Sequence, residues 1–373
     1  MIKTALITFH APYNYGSCLQ AYALQFFITK LGYENTIINY RFKGQRDAYK
    51  LIRSSNNYAD YIKDILQLPI FFKKVKRKNK FEYFIARYLT CTKEYCEPEE
   101  LSFISNDYDV FISGSDQIWN KHANELNLQP WKYLYPYLLS FTNKKKISYA
   151  SSIGSTSDQE IIDHMVKYIN DFSFISSREV STANRLSGIL DRKILSVVDP
   201  TLLLNKEDYI SSFNLAKNNC KPYIFYYSLS GIHTVFNHLR FLKKFAKSHN
   251  YQIIINTPYA YIPSFGNVIN YIDIGPIEFL SLIYNSSVVV TDSFHGTVFS
   301  LIFEKQFYSL CKNKMSADSR KIELLTKFNQ EQCLLFEIEN LNVQNKANYD
   351  DEHKTRFISE INKSKEYLIS SLK

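Results

Sequence analysis

Short apolar runs alternate with amphipathic stretches along most of the chain, the pattern of a parallel α/β sheet covered on both faces. Residues 4–9 predict a first strand, 18–31 a helix with Gly32 as its stop, and 35–40 the next strand, together one βαβ unit. Residues from about 45 to 105 break the rhythm and read as an irregular, polar helical insertion. Strand signals resume at 109–113, 146–151, 172–176 and 194–198, with helices fitting at 159–170 and 180–190.

From the Asp199-Pro200 dipeptide to Pro222 the pattern gives way to polar loop residues, and the domain boundary is placed there. A second series follows, with strands at 223–229, 252–256, 287–291 and 306–310 and helices at 234–249, 276–284, 294–303, 320–328 and 351–372. The expectation is an α/β protein of two Rossmann-like domains facing a cleft. The first is residues 1–200, carrying the insertion at about 45–105; the second is 201–345; a C-terminal helix occupies 346–373. Ligands of such sheets bind at the carboxyl ends of the strands, so the loops there are where chemistry is sought.

Composition sharpens this in a few places. The 29 Tyr and 27 Phe supply ample core, and only 10 Gly makes any glycine at a junction notable. The six cysteines include no C-x-x-C pair and no metal-like spacing with histidine, so a reducing cytoplasm and no metal are expected. The start of the chain reads as a strand rather than a signal peptide, and no run approaches ~20 apolar residues, the length of a membrane span. The net charge of +9 admits nucleic acid, an anionic membrane face or a phosphorylated substrate as partner. Its densest cluster, Lys73, Lys74, Lys76, Arg77, Lys78 and Lys80, reads either as a solvated helix or as a patch resting on an anionic inner membrane face. A nucleic-acid site would show a basic stripe with interleaved aromatics or a recognisable module, whereas this cluster lies in the irregular insertion, and a non-enzymatic anion or nucleic-acid binding protein is the weakest alternative.

Candidate chemistry gathers in four loops. After the first strand, Asn14, Gly16 and Ser17 either offer backbone N–H groups to a substrate oxygen or cap the helix. After the strand ending at Ser113, the Gly114-Ser115-Asp116 turn aims a carboxylate from the sheet edge, as a base or as an N-cap. Trp119 beyond it reads as a sugar-stacking platform or as core. Arg178 opens a helix, where a cation opposes the macrodipole, so it holds either a bound anion or a carboxylate such as Glu179. The fourth loop, Thr291-Asp-Ser-Phe-His-Gly-Thr297, puts Ser293, His295 and Gly296 at a helix start suited to phosphate, with His295 as a capping or packing residue the alternative.

At these loops the chain resembles the polysaccharide pyruvyl transferase family. The matching segments are Tyr13-Asn-Tyr-Gly-Ser17 running into Gln20, Phe111-Ile-Ser-Gly-Ser-Asp-Gln-Ile-Trp-Asn120, and Ser148-Tyr-Ala-Ser-Ser-Ile-Gly154. Further on come Ile175-Ser-Ser-Arg-Glu179, Val198-Asp-Pro-Thr-Leu-Leu-Leu204 and the Thr291–Thr297 loop, in the same order. The resemblance implies a glycosyltransferase-B-like fold and transfer of the pyruvyl group of phosphoenolpyruvate to two sugar hydroxyls as a cyclic ketal. It implies work on a capsular, exopolysaccharide or cell-wall glycan, with a saccharide acceptor, lipid-linked in some settings, and no cofactor besides the donor. It casts His295 as the residue at the donor phosphate, Arg178 as a donor-binding arginine and Asp116 as a base for the acceptor, with Ser115 beside it.

One departure stands out. Many members carry Arg-Leu-His where this chain has Ser293-Phe294-His295, so Arg320, Lys305 or backbone N–H groups are expected to supply the missing charge. The main alternative is a nucleotide-sugar glycosyltransferase of the same architecture, which releases a nucleoside diphosphate rather than phosphate.

Overall fold

The structure is a computed structural model; it describes residues 2–50, 70–123, 126, 129–154, 158–312, 319–342 and 346–373. The chain divides into two compact units. The first comprises Met1–Phe71, Glu82–Leu203 and Ser359–Lys373, the second Phe72–Phe81 and Leu204–Ile358.

The first unit opens with β1 (Lys3–Ile7), α1 (Tyr15–Lys30) and β2 (Glu34–Tyr40). Gly32 adopts φ +90°, a conformation open to a residue without Cβ, and the helix ends there as expected. After α2 (Lys43–Ala48) and α3 (Phe71–Tyr88), β3 (Cys91–Tyr95) joins the sheet at one edge. The insertion at 45–105 is therefore partly sheet; its residues 51–69 lie outside the described residues. Then come β4 (Val110–Ser113), α4 (Pro130–Leu134), β5 (Lys145–Ser148), α5 (Gln159–Ile169), β6 (Ser176–Ser177), α6 (Val180–Leu190) and β7 (Leu195–Ser196). The sheet order is β3-β2-β1-β4-β5, parallel throughout. The bridges Ile147–Phe174 and Ser151–Ser177 carry it on toward the β6–β7 pair.

Burial explains why the interior strands form. All residues of β4 are buried, and the core between sheet and helices includes Ile7, Phe111, Trp119, Tyr137 and Ile162. Trp119 is fully buried, its Nε1 donating to the Tyr137 carbonyl at 3.1 Å, so it is core and not a sugar platform.

The second unit begins where a loop is expected. The 3₁₀ turn Pro200–Leu203 closes the first unit in buried surroundings, and α7 (Lys206–Phe213) follows, its N-cap Asn205 receiving the Asp208 N–H. Next are β8 (Tyr223–Tyr227), α8 (Ile232–His249), β9 (Gln252–Asn256), β10 (Val268–Asn270), α9 (Pro276–Asn285), β11 (Val288–Thr291), α10 (Phe294–Ile302), β12 (Gln306–Leu310), α11 (Ser319–Lys327), β13 (Leu334–Leu335) and α12 (Asp351–Leu372). The sheet is parallel, ordered β10-β9-β8-β11-β12-β13, with Ile224, Tyr226, Ile253, Ile255 and Val290 in its core.

Residues 72–81 of α3 are tied to this second unit by Lys76, 2.9 Å from Asp273, and Lys80, 2.6 Å from Glu278. The lysine-rich cluster thus spends part of its charge on neighbouring carboxylates. All six cysteines are free thiols. Among the described residues no helix is long and apolar enough to cross a membrane.

Candidate active site

In the first unit the loops after β1, β4 and β5 and the start of α6 converge. Asn14 is the N-cap of α1, its side chain accepting the Gly16 N–H at 2.9 Å, so of the two capping candidates Asn14 is the one realised. Ser17 faces the other way and donates its hydroxyl to Asp116 Oδ2 at 2.9 Å. Asp116 sits at φ +76°, a left-handed conformation that Asp tolerates better than most side chains. It is held there by the backbone: the Ser152 N–H reaches the Asp116 carbonyl at 3.0 Å. The carboxylate retains a modest exposure of 13%.

The turn leading into Asp116 is packed tightly. Gly114 has φ +146°, and a Cβ there would lie 2.0 Å from the Tyr149 carbonyl oxygen, so only glycine fits. Ser115 is fully buried, its hydroxyl donating to the Ala150 carbonyl at 2.8 Å, and it shapes the turn.

Arg178 occupies a cage of carboxylates. Its Nε lies 3.1 Å from Glu179 Oε1, and its Nη1 3.0 Å from Asp199 Oδ2 and 3.8 Å from Asp116 Oδ1. Burial opposes the guanidinium charge, but Glu179, Asp199 and Asp116 outweigh it and hold the proton more tightly than usual. Of the two readings of this arginine, the carboxylate partners are present in the structure. Glu179 also accepts from Ser152 Oγ at 2.8 Å, and Asp199 from Thr201 Oγ1 at 2.7 Å. Ser17, Asp116, Arg178, Glu179 and Asp199 are thus one network.

In the second unit the β11–α10 loop forms the counterpart. Ser293 caps α10 by accepting the Gly296 N–H at 3.3 Å. A Cβ on Gly296 would meet Thr291 Oγ1 at 2.5 Å, which is why glycine lets the helix sit so close to the strand. His295 lies in the first helical turn, 8% exposed, its ring edge-on to Phe294 at 5.2 Å. Asp292 organises the adjoining loop: it accepts from Ser228 Oγ at 2.6 Å, from the Leu229 N–H at 2.7 Å and from Ser230 Oγ at 2.7 Å. Beneath the loop, Lys321 donates to the Asp292 carbonyl at 2.9 Å and to the Leu310 carbonyl.

Lys321, one position beyond the Arg320 named from the sequence, is a cation bonded to this loop that sequence reasoning did not name. Its neighbour Arg320 lies over the Phe294 ring, 5.9 Å from its centroid, on the more open side of α11. Lys305 is ruled out at this loop by topology. It precedes β12, which runs parallel to β11, so it lies at the opposite edge of the sheet, where it donates to the Tyr284 carbonyl at 3.2 Å. There burial, with Lys217 and Lys206 nearby, pushes its ammonium down to about 8. The signal for Lys321 was the helical period that places it with Leu324 and Leu325 on the buried face. Asp292 carried no local signal for its role, because its side-chain partners Ser228, Leu229 and Ser230 lie far along the chain, and Asp199, though bonded locally to Thr201, meets Arg178 from 21 positions away.

Residues 14–310 match the model of a family described as polysaccharide pyruvyl transferase. No curated protein matches the sequence. Among solved structures, UDP-GlcNAc 2-epimerase from Neisseria meningitidis, bound to UDP-GlcNAc, is similar at TM-score 0.52 and 8% identity, over 100% of this chain and 99% of that one. A Listeria monocytogenes protein assigned as a UDP-N-acetylglucosamine 2-epimerase gives 0.50 and 8%, over 98% and 90%. The glycosyltransferase SnogD from Streptomyces nogalater gives 0.46 and 10%, over 98% and 95%. At such identities the likeness to the two epimerase structures describes the fold alone, which is of the glycosyltransferase-B type.

Proposed function

Because the chain belongs to the polysaccharide pyruvyl transferase family, we propose that it moves the pyruvyl group of phosphoenolpyruvate onto two hydroxyls of a sugar, forming a cyclic ketal and releasing phosphate, in the synthesis of a surface or cell-wall glycan. The observation that carries this reading is the family match over residues 14–310, which takes in the strand-end loops of both units.

Phosphoenolpyruvate is an enol ester, and C2 becomes electrophilic once its methylene carbon is protonated. His295, in the first turn of α10, is assigned as that acid. One acceptor hydroxyl adds at C2 and gives its proton to Asp116, whose carboxylate is oriented by Ser17. The C2–O bond to phosphate breaks, and the second hydroxyl closes the ketal, its proton passing to the departing phosphate. The reaction balances with phosphate as sole leaving group, so no cofactor enters.

Two assignments differ from the resemblance. Arg178 becomes a positioning residue, holding Asp116 and Glu179 through its carboxylate cage. Lys321 and the positive end of the α10 dipole replace the family arginine beside the donor phosphate.

The test is release of phosphate from phosphoenolpyruvate, screened over galactoside, glucoside and N-acetylmannosaminide acceptors, with the product's ketal methyl followed by NMR. His295→Ala is expected to abolish most turnover with the fold intact. Release of a nucleoside diphosphate from a nucleotide sugar, with none from phosphoenolpyruvate, would move the assignment to a glycosyltransferase.

A further inference from the structure

Helix α8 has a composition unlike the rest of the chain. Its sequence, IHTVFNHLRFLKKFAKSH, holds no acidic residue. Val235, Leu239, Leu242, Phe245 and Ala246 form its buried stripe against the sheet. The opposite face presents Phe236, Arg240, Lys243, Lys244 and Lys247, all exposed, at spacings of three and four residues that align them on one side.

These cations are matched with rings rather than carboxylates. Lys243 lies 4.0 Å from the centroid of Phe265, Lys244 5.7 Å and Arg240 5.8 Å from that of Phe241. Among the described residues, none of these cations has an ion pair with a carboxylate. Phe265 ends the loop that follows β9, and the same loop exposes Tyr259 and Tyr261, at 67% and 40%. That loop, residues 257–267, is also free of acidic residues. Helix face and loop tip meet at the Lys243–Phe265 contact, making one continuous surface of basic and aromatic groups, with Ile232 and Phe236 exposed at the start of the helix.

We propose that this surface of the second unit docks on an anionic phospholipid bilayer, with the basic face of α8 against the headgroups and the aromatic loop at the interface. Charge complementarity identifies the occupant: a cationic face without acidic residues favours a polyanionic surface. Exposed phenylalanine, isoleucine and tyrosine side chains beside it favour one with an apolar layer beneath its charge. The lysine-rich stretch of α3, by contrast, has Lys76 and Lys80 neutralised by Asp273 and Glu278, which moves the membrane contact from α3 to α8. The inference stands apart from the pyruvyl transfer reading, because it uses none of the residues assigned to catalysis.

The experiment is co-sedimentation of the full chain with vesicles of phosphatidylcholine alone and of phosphatidylcholine with about a third phosphatidylglycerol. The expected result is binding to the anionic vesicles only, weakening as salt rises from 0.05 to 0.5 M. Combined R240Q, K243Q, K244Q and K247Q should weaken it at least about a hundredfold, since each basic residue near an anionic surface contributes about fivefold. F236S with Y259S should weaken binding with the charges intact, and K73Q with K78Q should leave it unchanged. All substitutions are at exposed positions except K78Q, which is at a half-buried one, and circular dichroism melting confirms the fold. Equal binding by the quadruple variant, no preference for anionic vesicles, or no binding at all would overturn the proposal. So would tighter binding of a single-stranded oligonucleotide through the same residues, which would make nucleic acid the partner.

Discussion

Nη1 of Arg178 stands 3.0 Å from Oδ2 of Asp199, and both side chains are sealed from solvent, at 4% and 0% exposure. A buried pair of this kind is costly to break from one side, because the remaining charge is stranded. Arg178→Met should lower stability by about 3–5 kcal/mol, measured as a shift in the urea midpoint, and Arg178→Met with Asp199→Asn should recover part of it. A stable Arg178→Met protein with a raised KM for phosphoenolpyruvate would instead make Arg178 a donor ligand.

Asp116→Asn keeps an oxygen for the Ser17 hydroxyl but removes the base. Turnover should fall by roughly 10²–10⁴-fold with little change in the melting temperature. Ser17→Ala should lose much less, because it loosens the carboxylate without removing it. Equal turnover by Asp116→Asn and the parent protein would exclude the assigned role.

Lys321 and Arg320 are adjacent in sequence and opposite in environment. Lys321→Met leaves the Asp292 and Leu310 carbonyls without this donor and should cost about 1–3 kcal/mol, with a raised KM for phosphoenolpyruvate. Arg320→Ala should change stability by less than about 0.5 kcal/mol. Steady-state kinetics and denaturation of the two variants side by side separate the roles.

Gly296→Ala places a methyl 2.5 Å from Thr291 Oγ1 and should destabilise by about 1–3 kcal/mol through overpacking. Thr291→Ala in the same chain should relieve some of that strain. A double-mutant cycle in chemical denaturation reads the coupling.

His10 supplies a pH dependence with a definite sign. Burial pushes its imidazole down from 6.5 to about 4, against the Asn39 hydrogen bond. Below its ordinary value the unfolded chain binds a proton that the folded chain refuses. The stability it contributes is complete above about pH 6.5 and lost at about 1.4 kcal/mol per pH unit as the pH falls toward 4, some 3 kcal/mol in all. His10→Gln should flatten that slope in urea midpoints taken from pH 7 to pH 4.

What the sequence disclosed follows from where the information lies. Strands β9 and β12 and helix α6 coincide with their expected bounds, since each is an apolar run or a periodic stretch with clear stops. β3 was missed because an edge strand needs little apolar surface, and Cys-Thr-Lys-Glu-Tyr shows little. α7 was missed because its polar face dominates so short a helix. At the site, the motifs located Asp116, His295 and Arg178, but the Arg178–Asp199 partnership joins positions 21 apart, beyond any local pattern. Capping by Asn14 was legible as an alternative, and the hydrogen bond from the Gly16 N–H realises it; capping by Ser293 emerges only from the structure.

The assignment of residues 72–81 to the second unit, through Lys76–Asp273 and Lys80–Glu278, bears on inheritance as well as on stability. Neither unit is one uninterrupted stretch of the gene. A recombination that exchanged residues 204–358 alone would strip Asp273 and Glu278 from their lysines, so the two units are expected to evolve by substitution in place rather than by modular exchange.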